Sequence, residues 1–294
     1  MTIFISGMSG FIGRNIQKNA YLLKREIRKQ TRTSVNEMQP GDILRVGGKL
    51  EIVTSEGKYY SEVTTLLHLG SFIPKSSNES NLVLNSVDSL NITQQLCSGI
   101  FPNLRKIIFA STMDVYKRTN STIDESSELE VNNLYVASKL MSEHVVENYC
   151  GRNNIAFDIL RIGHVYGNGD DVYQKVFPNM VRAIKSGNVF RWNGNTKQSL
   201  NLIYVDDLIS ILAQLIDSER GMGVLNIVSS TNVRVEELIE ILEEETNLKL
   251  NIEVVDDMKE KFQYNYSNEK LRENLIFAET PIELAIRQIL HSSV

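Results

Sequence analysis

Tyr135 and Lys139 stand four residues apart in the run Tyr135-Val136-Ala137-Ser138-Lys139. If that run is helical, the two side chains share a face. An ammonium held beside a phenol favours the phenolate, which suits the pair to exchange a proton with a carbonyl or an alcohol. Spacing alone is weak support: among 11 tyrosines a chance Tyr-x-x-x-Lys is unsurprising, and Tyr266 and Lys270 form a second. Context separates the two. Tyr135 follows Thr112 by 23 residues, and Thr112 lies in the polar knot Ser111-Thr112-Met113-Asp114 that ends the apolar run Ile107-Ile108-Phe109-Ala110. A hydroxyl at the end of a buried strand can donate to a reacting oxygen, or it can merely begin a turn.

A second group of residues suits an anion. Gly7, Gly10 and Gly13, with Ser9, Phe11 and Ile12 among them, lie between the apolar run Thr2 to Ser6 and a helical pattern over residues 11 to 20. Strand, glycine turn and helix in that order allow a tight turn, close approach of backbone to a pyrophosphate, and helix N–H groups facing it. A dinucleotide-binding loop is predicted; a glycine turn that only packs helix on strand is the plainer alternative. An NAD site usually carries an acidic residue about 20 positions further on. Here residues 24 to 32 set Glu26 against Lys24, Arg25, Arg28, Lys29 and Arg32. A basic strand end suits a 2′-phosphate, so NADP is favoured over NAD, with Arg28 and Arg32 as its ligands. A solvated charged face is the alternative there.

These groups need elements to position them. Buried strands are predicted at residues 2–6, 64–69, 106–110, 156–161, 202–205 and 224–228. Helices are predicted at 82–96, 135–150 and 235–245, with two more on either side of Pro281 in the tail. Asp206 and Asp207 are placed to cap a helix that follows. Strands alternating with helices indicate an α/β, doubly wound parallel sheet. A loop-rich stretch after Gly167 suggests a smaller α+β domain. The predicted division is a dinucleotide-binding Rossmann domain at 1–165 plus about 202–228, and a substrate-binding domain at 166–201 and 229–294. Residues 33 to 62 give no clear pattern.

Composition narrows the partners. The chain has 294 residues, 42% hydrophobic and 23% charged, with a net charge of −5. That is ordinary for a globular protein and argues against a broad nucleic-acid face. No stretch approaches the roughly 20 apolar residues of a membrane span. Cys97 and Cys150 lack any Cys-x-x-Cys neighbour, which predicts two buried thiols rather than a metal site. With no signal-peptide pattern at the start, a cytoplasmic protein is expected.

The segments TIFISGMSGFIG, LLHLGS, IIFASTMDVY, YVASK, ILRIGHVYG and LIYVDDL occur in that order. Together they resemble the extended short-chain dehydrogenase/reductase family, in its nucleotide-sugar epimerase, dehydratase and reductase branch. The resemblance extends to NEKLRENLIF near the C-terminus. It implies Thr112 as the catalytic hydroxyl, Tyr135 as the proton-transfer residue, and Lys139 as its partner that also holds the nicotinamide ribose. It implies further that Leu69, Gly70 and Ser71, after His68, line the cofactor, and that the protein forms a homodimer through the helices starting near Leu82 and Tyr135. Met113 and His164 match positions facing the nucleotide-sugar substrate, although His164 stands where the family often has asparagine. One departure concerns the substrate's phosphates: Leu200 occupies the place of a pyrophosphate-binding arginine, leaving Arg191, Lys197 or Arg182 to serve.

The resemblance also bears on the reaction. Family 4,6-dehydratases carry Thr-Asp-Glu where this chain has Thr112-Met113-Asp114. A thioether has no proton to give, so Met113 argues against dehydration. The expectation is an NADPH-dependent oxidoreductase that reduces the C4 keto group of a nucleotide-linked 4-keto-6-deoxyhexose, in deoxysugar biosynthesis for surface polysaccharide. A 4-epimerase with bound NAD and a non-catalytic cofactor-binding module are the competing readings.

Overall fold

In the computed structural model, residues 2–19, 22, 26–31, 43–46, 49–52, 58–171, 173–255 and 265–291 are described. The chain divides into two compact units. The first comprises residues 1–115, 129–162 and 209–225, and the second residues 116–128, 163–208 and 226–294.

The first unit is built on an eight-stranded sheet. Its strands are β1 (Thr2–Ser6), β2 (Glu26–Thr31), β3 (Ile43–Val46), β4 (Lys49–Ile52), β5 (Val63–His68), β6 (Lys106–Thr112), β8 (Ala156–Ile162) and β13 (Gly223–Ile227), in the order β13-β8-β6-β5-β1-β2-β3-β4. β7 (Thr122–Ile123) belongs to the second unit. The pairs β1–β2, β1–β5, β5–β6, β6–β8 and β2–β3 are parallel, and β3–β4 is antiparallel. Every residue of β1 and of β6 is buried. Strands covered on both faces lose the apolar–polar alternation and read as continuous apolar runs, which is why these were visible in the sequence.

The helices of this unit are α1 (Phe11–Ile16), α2 (Lys58–Ser61), α3 (Val83–Leu96) and α4 (Leu134–Asn153). Phe4, Leu66, Ile107, Phe109 and Ile159 from four adjacent strands pack with Ile92 and Leu96 of α3 and Val146 and Cys150 of α4. Cys97 and Cys150 are both buried free thiols, and burial pushes each up to about 12.

Several sequence expectations shift. α1 ends at Ile16, short of the predicted residue 20. Of the leucines of α3, Leu96 alone is fully buried. The buried face of the helix is Ser86, Ser89, Ile92, Thr93 and Leu96, while Leu82 and Leu84 are exposed. The segment read as unclear contributes β3, β4 and α2, with the β3–β4 hairpin extending the sheet.

The second unit holds β7, β9 (His164–Tyr166), α5 (Val176–Ser186), β10 (Phe190–Asn193), β11 (Ser199–Leu200), β12 (Leu202–Tyr204), β14 (Val233–Arg234), α7 (Val235–Thr246), β15 (Ile252–Val255), β16 (Asn265–Tyr266), α8 (Glu269–Asn274) and α9 (Ile282–His291). Its strands form two-stranded pairs: β9–β12, β10–β15 and β7–β16 parallel, β11–β14 antiparallel. Among the described residues β12 pairs with β9 alone and is not a strand of the main sheet. α6 (Val205–Asp217) starts in this unit and ends in the first. Asp206 and Asp207 lie inside its first turn rather than capping it. Asp207 instead accepts hydrogen bonds from the Thr280 backbone at 2.9 Å and hydroxyl at 2.7 Å.

One buried charge ties the sheet to the end of α6. Lys106 opens β6 and is 3% exposed. Its Nζ donates to the carbonyls of Leu215 (2.7 Å), Ser218 (2.9 Å) and Arg220 (2.9 Å), and lies 2.8 Å from Asp158 of β8. Asp158 in turn accepts from the Met222 N–H at 2.6 Å. The three ammonium protons satisfy carbonyls around the helix end, while the carboxylate balances the charge. Lys106→Met should therefore lower unfolding stability by about 3 kcal/mol or more, because it strands a buried carboxylate. Urea unfolding measures this, and a loss under about 1 kcal/mol would contradict it.

Candidate active site

At the carboxyl end of β1 the backbone turns through Gly7, whose φ is +84°, a region that side-chain-bearing residues seldom occupy. A Cβ on Gly7 would meet the Gly70 N at 2.7 Å, and one on Gly13 would lie 2.4 Å from the Gly7 carbonyl oxygen. Either contact is shorter than real Cβ atoms allow, so only glycine lets this loop, α1 and the end of β5 approach so closely. The Gly10 N–H donates to the Gly7 carbonyl at 2.9 Å, and Gly10 precedes α1 as its N-cap, with no side chain capping the helix. Ser9 and Gly10 are exposed, while Phe11 and Gly13 are buried. The shape fits a backbone cradle for a pyrophosphate.

A buried hydrogen-bond chain holds this junction. The Gly70 N–H donates to Ser6 Oγ at 3.0 Å, and Ser6 Oγ lies 2.6 Å from His68 Nδ1. On the other side of the ring, His68 Nε2 is 2.9 Å from Thr93 Oγ1, which itself donates to the Ser89 carbonyl at 3.0 Å. That pattern assigns the ring proton to Nε2, with Nδ1 accepting from Ser6. The Ser142 hydroxyl of α4 is 3.3 Å from Thr93 Oγ1, and Ser89 Oγ accepts from the Phe72 N–H at 2.8 Å. Leu69 and Ser71 complete the turn: the Leu69 N–H donates to the Ser6 carbonyl (3.1 Å) and the Ser71 N–H to that of Leu69 (2.9 Å).

Thr112 is the last residue of β6, in register with Ile162 of β8. Its Oγ1 accepts from the Asp114 N–H at 3.2 Å, so its own O–H remains to donate. Met113, buried, opens a single 3₁₀ turn to Val115, while Asp114 faces solvent. α4 is capped by Asn133, whose side chain accepts from the Val136 N–H at 2.9 Å. The cap places Tyr135 in the first turn and Lys139 one turn further on. Both are nearly buried, at 7% and 4% exposure. Lys139 Nζ lies 5.9 Å from the centre of the Tyr135 ring and 5.3 Å from that of Phe109. It donates to the Ala110 carbonyl, two residues before Thr112, at 2.8 Å. Burial pushes the Lys139 pKa down to about 7, with the Glu143 carboxylate acting in the opposite direction. Tyr135 meets the Phe72 ring edge-on at 6.4 Å. By contrast Tyr266 lies on β16 and Lys270 on α8, so the second Tyr-x-x-x-Lys shares no helical face.

Of the remaining predicted residues, most belong to the second unit. Arg28 belongs to β2 opposite Phe4, but its side chain, like the whole of Arg32, is outside the described residues. His164 is exposed at the start of β9, in the second unit. Arg191, also in that unit, pairs with Glu253 across β10–β15 at 2.8 Å. Arg182 is engaged by the Asp171 carbonyl and the Asn179 side chain, and Leu200 pairs with Val233. Sequence reasoning missed Ser6, Thr93, Ser111, Glu143 and Arg161. Two signals were available: Glu143 lies one helical turn beyond Lys139, and Arg161 interrupts an apolar strand.

A parallel sheet with a glycine turn after β1, a short helix and a Tyr–Lys pair on α4 define a dinucleotide-binding Rossmann protein. The sequence profile of the NAD dependent epimerase/dehydratase family matches residues 3–228, and the chain belongs to that family. Among curated proteins, it is 24% identical over 164 residues to a dTDP-D-glucose 4,6-dehydratase of Dictyostelium discoideum, covering 51% of this chain and 37% of the relative. It is 26% identical over 191 residues to a dTDP-4-dehydro-6-deoxyglucose reductase of Escherichia coli, covering 64% and 60%. The matched stretch thus spans less than two thirds of these relatives' lengths. A solved UDP-glucuronic acid 4-epimerase from Bacillus cereus, in complex with UDP-glucuronic acid and NAD, has the same fold. Its TM-score is 0.78 at 18% identity, with 98% of each chain covered. Among the described residues, no helix is long and apolar enough to cross a membrane and no cluster suits a metal ion.

Gly13→Ala should weaken NADH or NADPH binding at least tenfold, because its methyl collides with backbone. Gly151→Ala, where a Cβ meets nothing within 4 Å, should leave binding unchanged. Titration of cofactor fluorescence distinguishes them, and equal affinities would refute the cradle.

Proposed function

We propose that this protein reduces the C4 carbonyl of a nucleotide-linked 4-keto-6-deoxyhexose, with NADPH as reductant. The observation that carries the reading is the pairing of Thr112 with Met113. A hydroxyl with its proton still to donate is followed by a buried thioether, and the next carboxylate, Asp114, faces solvent. Such a site suits movement of one hydride and one proton and lacks the acid–base pair that elimination of water requires. The reductase from Escherichia coli is one relative with the proposed chemistry in its name.

In this reading Tyr135 gives its phenolic proton to the oxygen at C4, and the Thr112 O–H donates a hydrogen bond to the same oxygen. Lys139, anchored on the Ala110 carbonyl, keeps positive charge beside the phenol. The residues that would hold the dinucleotide are the Gly7–Gly13 turn, Leu69, Gly70 and Ser71, with Tyr135 and Lys139 at the nicotinamide end. A bound nicotinamide dinucleotide supplies the hydride. The basic residues Arg28 and Arg32 are the reason for preferring NADPH. A second reading, a 4-epimerase retaining NAD, draws support from the likeness to the Bacillus cereus epimerase, whose structure holds NAD. Substrate-facing roles for Met113, His164 and Arg191 belong to the same proposal.

Tyr135→Phe should abolish turnover while leaving NADPH affinity nearly intact; undiminished turnover would sink the assignment. Assay of NADPH and NADH against a panel of 4-keto sugar nucleotides separates the readings. Net cofactor oxidation supports reduction, epimer interconversion without it supports the epimerase, and binding without turnover of any member supports a non-catalytic module. The pH dependence has a definite sign. The reducing form is the protonated one, and Lys139 loses its proton as pH rises through about 7. kcat/KM for reduction should therefore fall above that pH, and a flat profile would contradict the role of Lys139.

A homodimer, in the cytoplasm, is part of the proposal. Val83, Leu84 and Val87 of α3 and Leu134 and Met141 of α4 are exposed, Leu84 to 79%. An apolar stripe on two adjacent helices suits a symmetric contact with a second copy. The double variant Leu84→Glu, Val87→Glu should run as a monomer in light scattering if the wild type is a dimer through this face. An unchanged dimer would refute it.

A further inference from the structure

Glu143 has no part in the proton transfer described above, yet it is a carboxylate buried one helical turn beyond Lys139. Arg161 of β8 grips it with two donors, Nη2 to Oε2 at 2.8 Å and Nε to Oε1 at 3.3 Å. The Ser111 hydroxyl of β6 donates to Oε1. Ser111 lies between Ala110, whose carbonyl accepts from Lys139, and Thr112, the proposed donor to the reacting oxygen. One carboxylate therefore joins the helix that carries Tyr135 and Lys139 to the strand that carries Thr112, and to the strand beyond.

We propose that Glu143, clamped by Arg161 and Ser111, is a positioning residue that fixes the Lys139 ammonium against β6 and supplies the negative charge that offsets it. This deepens the reading of Lys139 given above and rests on it. Three charged side chains bear on this arrangement: two cations, Lys139 and Arg161, and one anion, Glu143. With the carboxylate removed, the positive charges of Lys139 and Arg161 lose their common counter-charge in a low-dielectric interior, which disfavours charge on the lysine, since the guanidinium cannot give up its proton. With the guanidinium removed, the carboxylate serves the lysine alone, which favours charge. The other groups around Lys139 leave this balance intact. On α4 there is Tyr135; from β6 come Phe109, the Ala110 carbonyl and Ser111. On β5, the His68 ring lies 5.2 Å from that of Phe109 and is itself hydrogen-bonded to Ser6 and Thr93.

The two changes thus predict shifts of opposite sign, which general loosening of the fold does not produce. The test is an NMR titration of the full chain labelled with 13Cε-lysine, the Lys139 signal being identified by its loss in Lys139→Met. Wild type should titrate near 7. Glu143→Gln should move the midpoint down by about one pH unit or more, and Arg161→Gln should move it up. Arg161→Lys, which keeps the charge, should stay near the wild-type value. Midpoints that coincide, or that move in one direction in both Gln variants, overturn the proposal. If Glu143→Gln does not fold, a rise in Arg161→Gln that is absent in Arg161→Lys supports it, and any other result overturns it. The titration needs no turnover, so it can fail while Tyr135→Phe still abolishes activity, and the reverse also holds.

Discussion

The close approach of two backbone segments, Gly7 after β1 and Gly70 after β5, is the constraint on which the rest of the site depends. No side chain fits between them, and the strand ends are held at that distance by polar groups removed from water. The chain from the Gly70 amide through Ser6, His68 and Thr93 to Ser142 runs from the glycine turn to the helix that carries Tyr135. Each member has a partner, so the chain stiffens the junction rather than leaving unsatisfied groups inside it. It also explains why α3 buries serine and threonine where an amphipathic helix would bury leucine. The hydroxyls are needed as links.

Glu143 extends the same logic to the other side of α4. Burying a carboxylate and a guanidinium adds little net stability compared with apolar packing. What it offers is direction: a planar, bidentate pair between α4 and β8, with Ser111 as a third point, leaves the helix few ways to rotate or slide over the sheet. Lys139 depends on that register, because a helix rotated by one residue would carry its ammonium off the Ala110 carbonyl. Lys106 does comparable work at the far end of β6, where one ammonium satisfies three carbonyls at the close of α6.

Much of the site was legible in the sequence because its residues are close in the chain or fall at strand ends. Thr112 follows a run too apolar for anything but a buried strand, Tyr135 and Lys139 have helical spacing, and the glycines sit within ten residues of the first strand. The partners of these residues were not legible. Ser6 to His68, His68 to Thr93 and Ser111 to Glu143 are contacts between residues separated by 62, 25 and 32 positions, and no local pattern announces them. β12 misled for a related reason: Leu202 to Tyr204 reads like a core strand, but pairing is decided by the neighbour, and its neighbour is β9 alone.

The sequence by itself determined the parallel sheet, the glycine turn, and the hydroxyl, phenol and ammonium proposed for the chemistry, since those follow from local periodicity and residue type. The tertiary structure alone decided what surrounds them: which carbonyl anchors Lys139, which side chains clamp Glu143, and which hydroxyls replace apolar packing beneath the glycine turn. Local pattern reflects what each segment must bury. The state of a buried charge depends instead on every element that folds around it, and that sum exists only once the strands and helices have met.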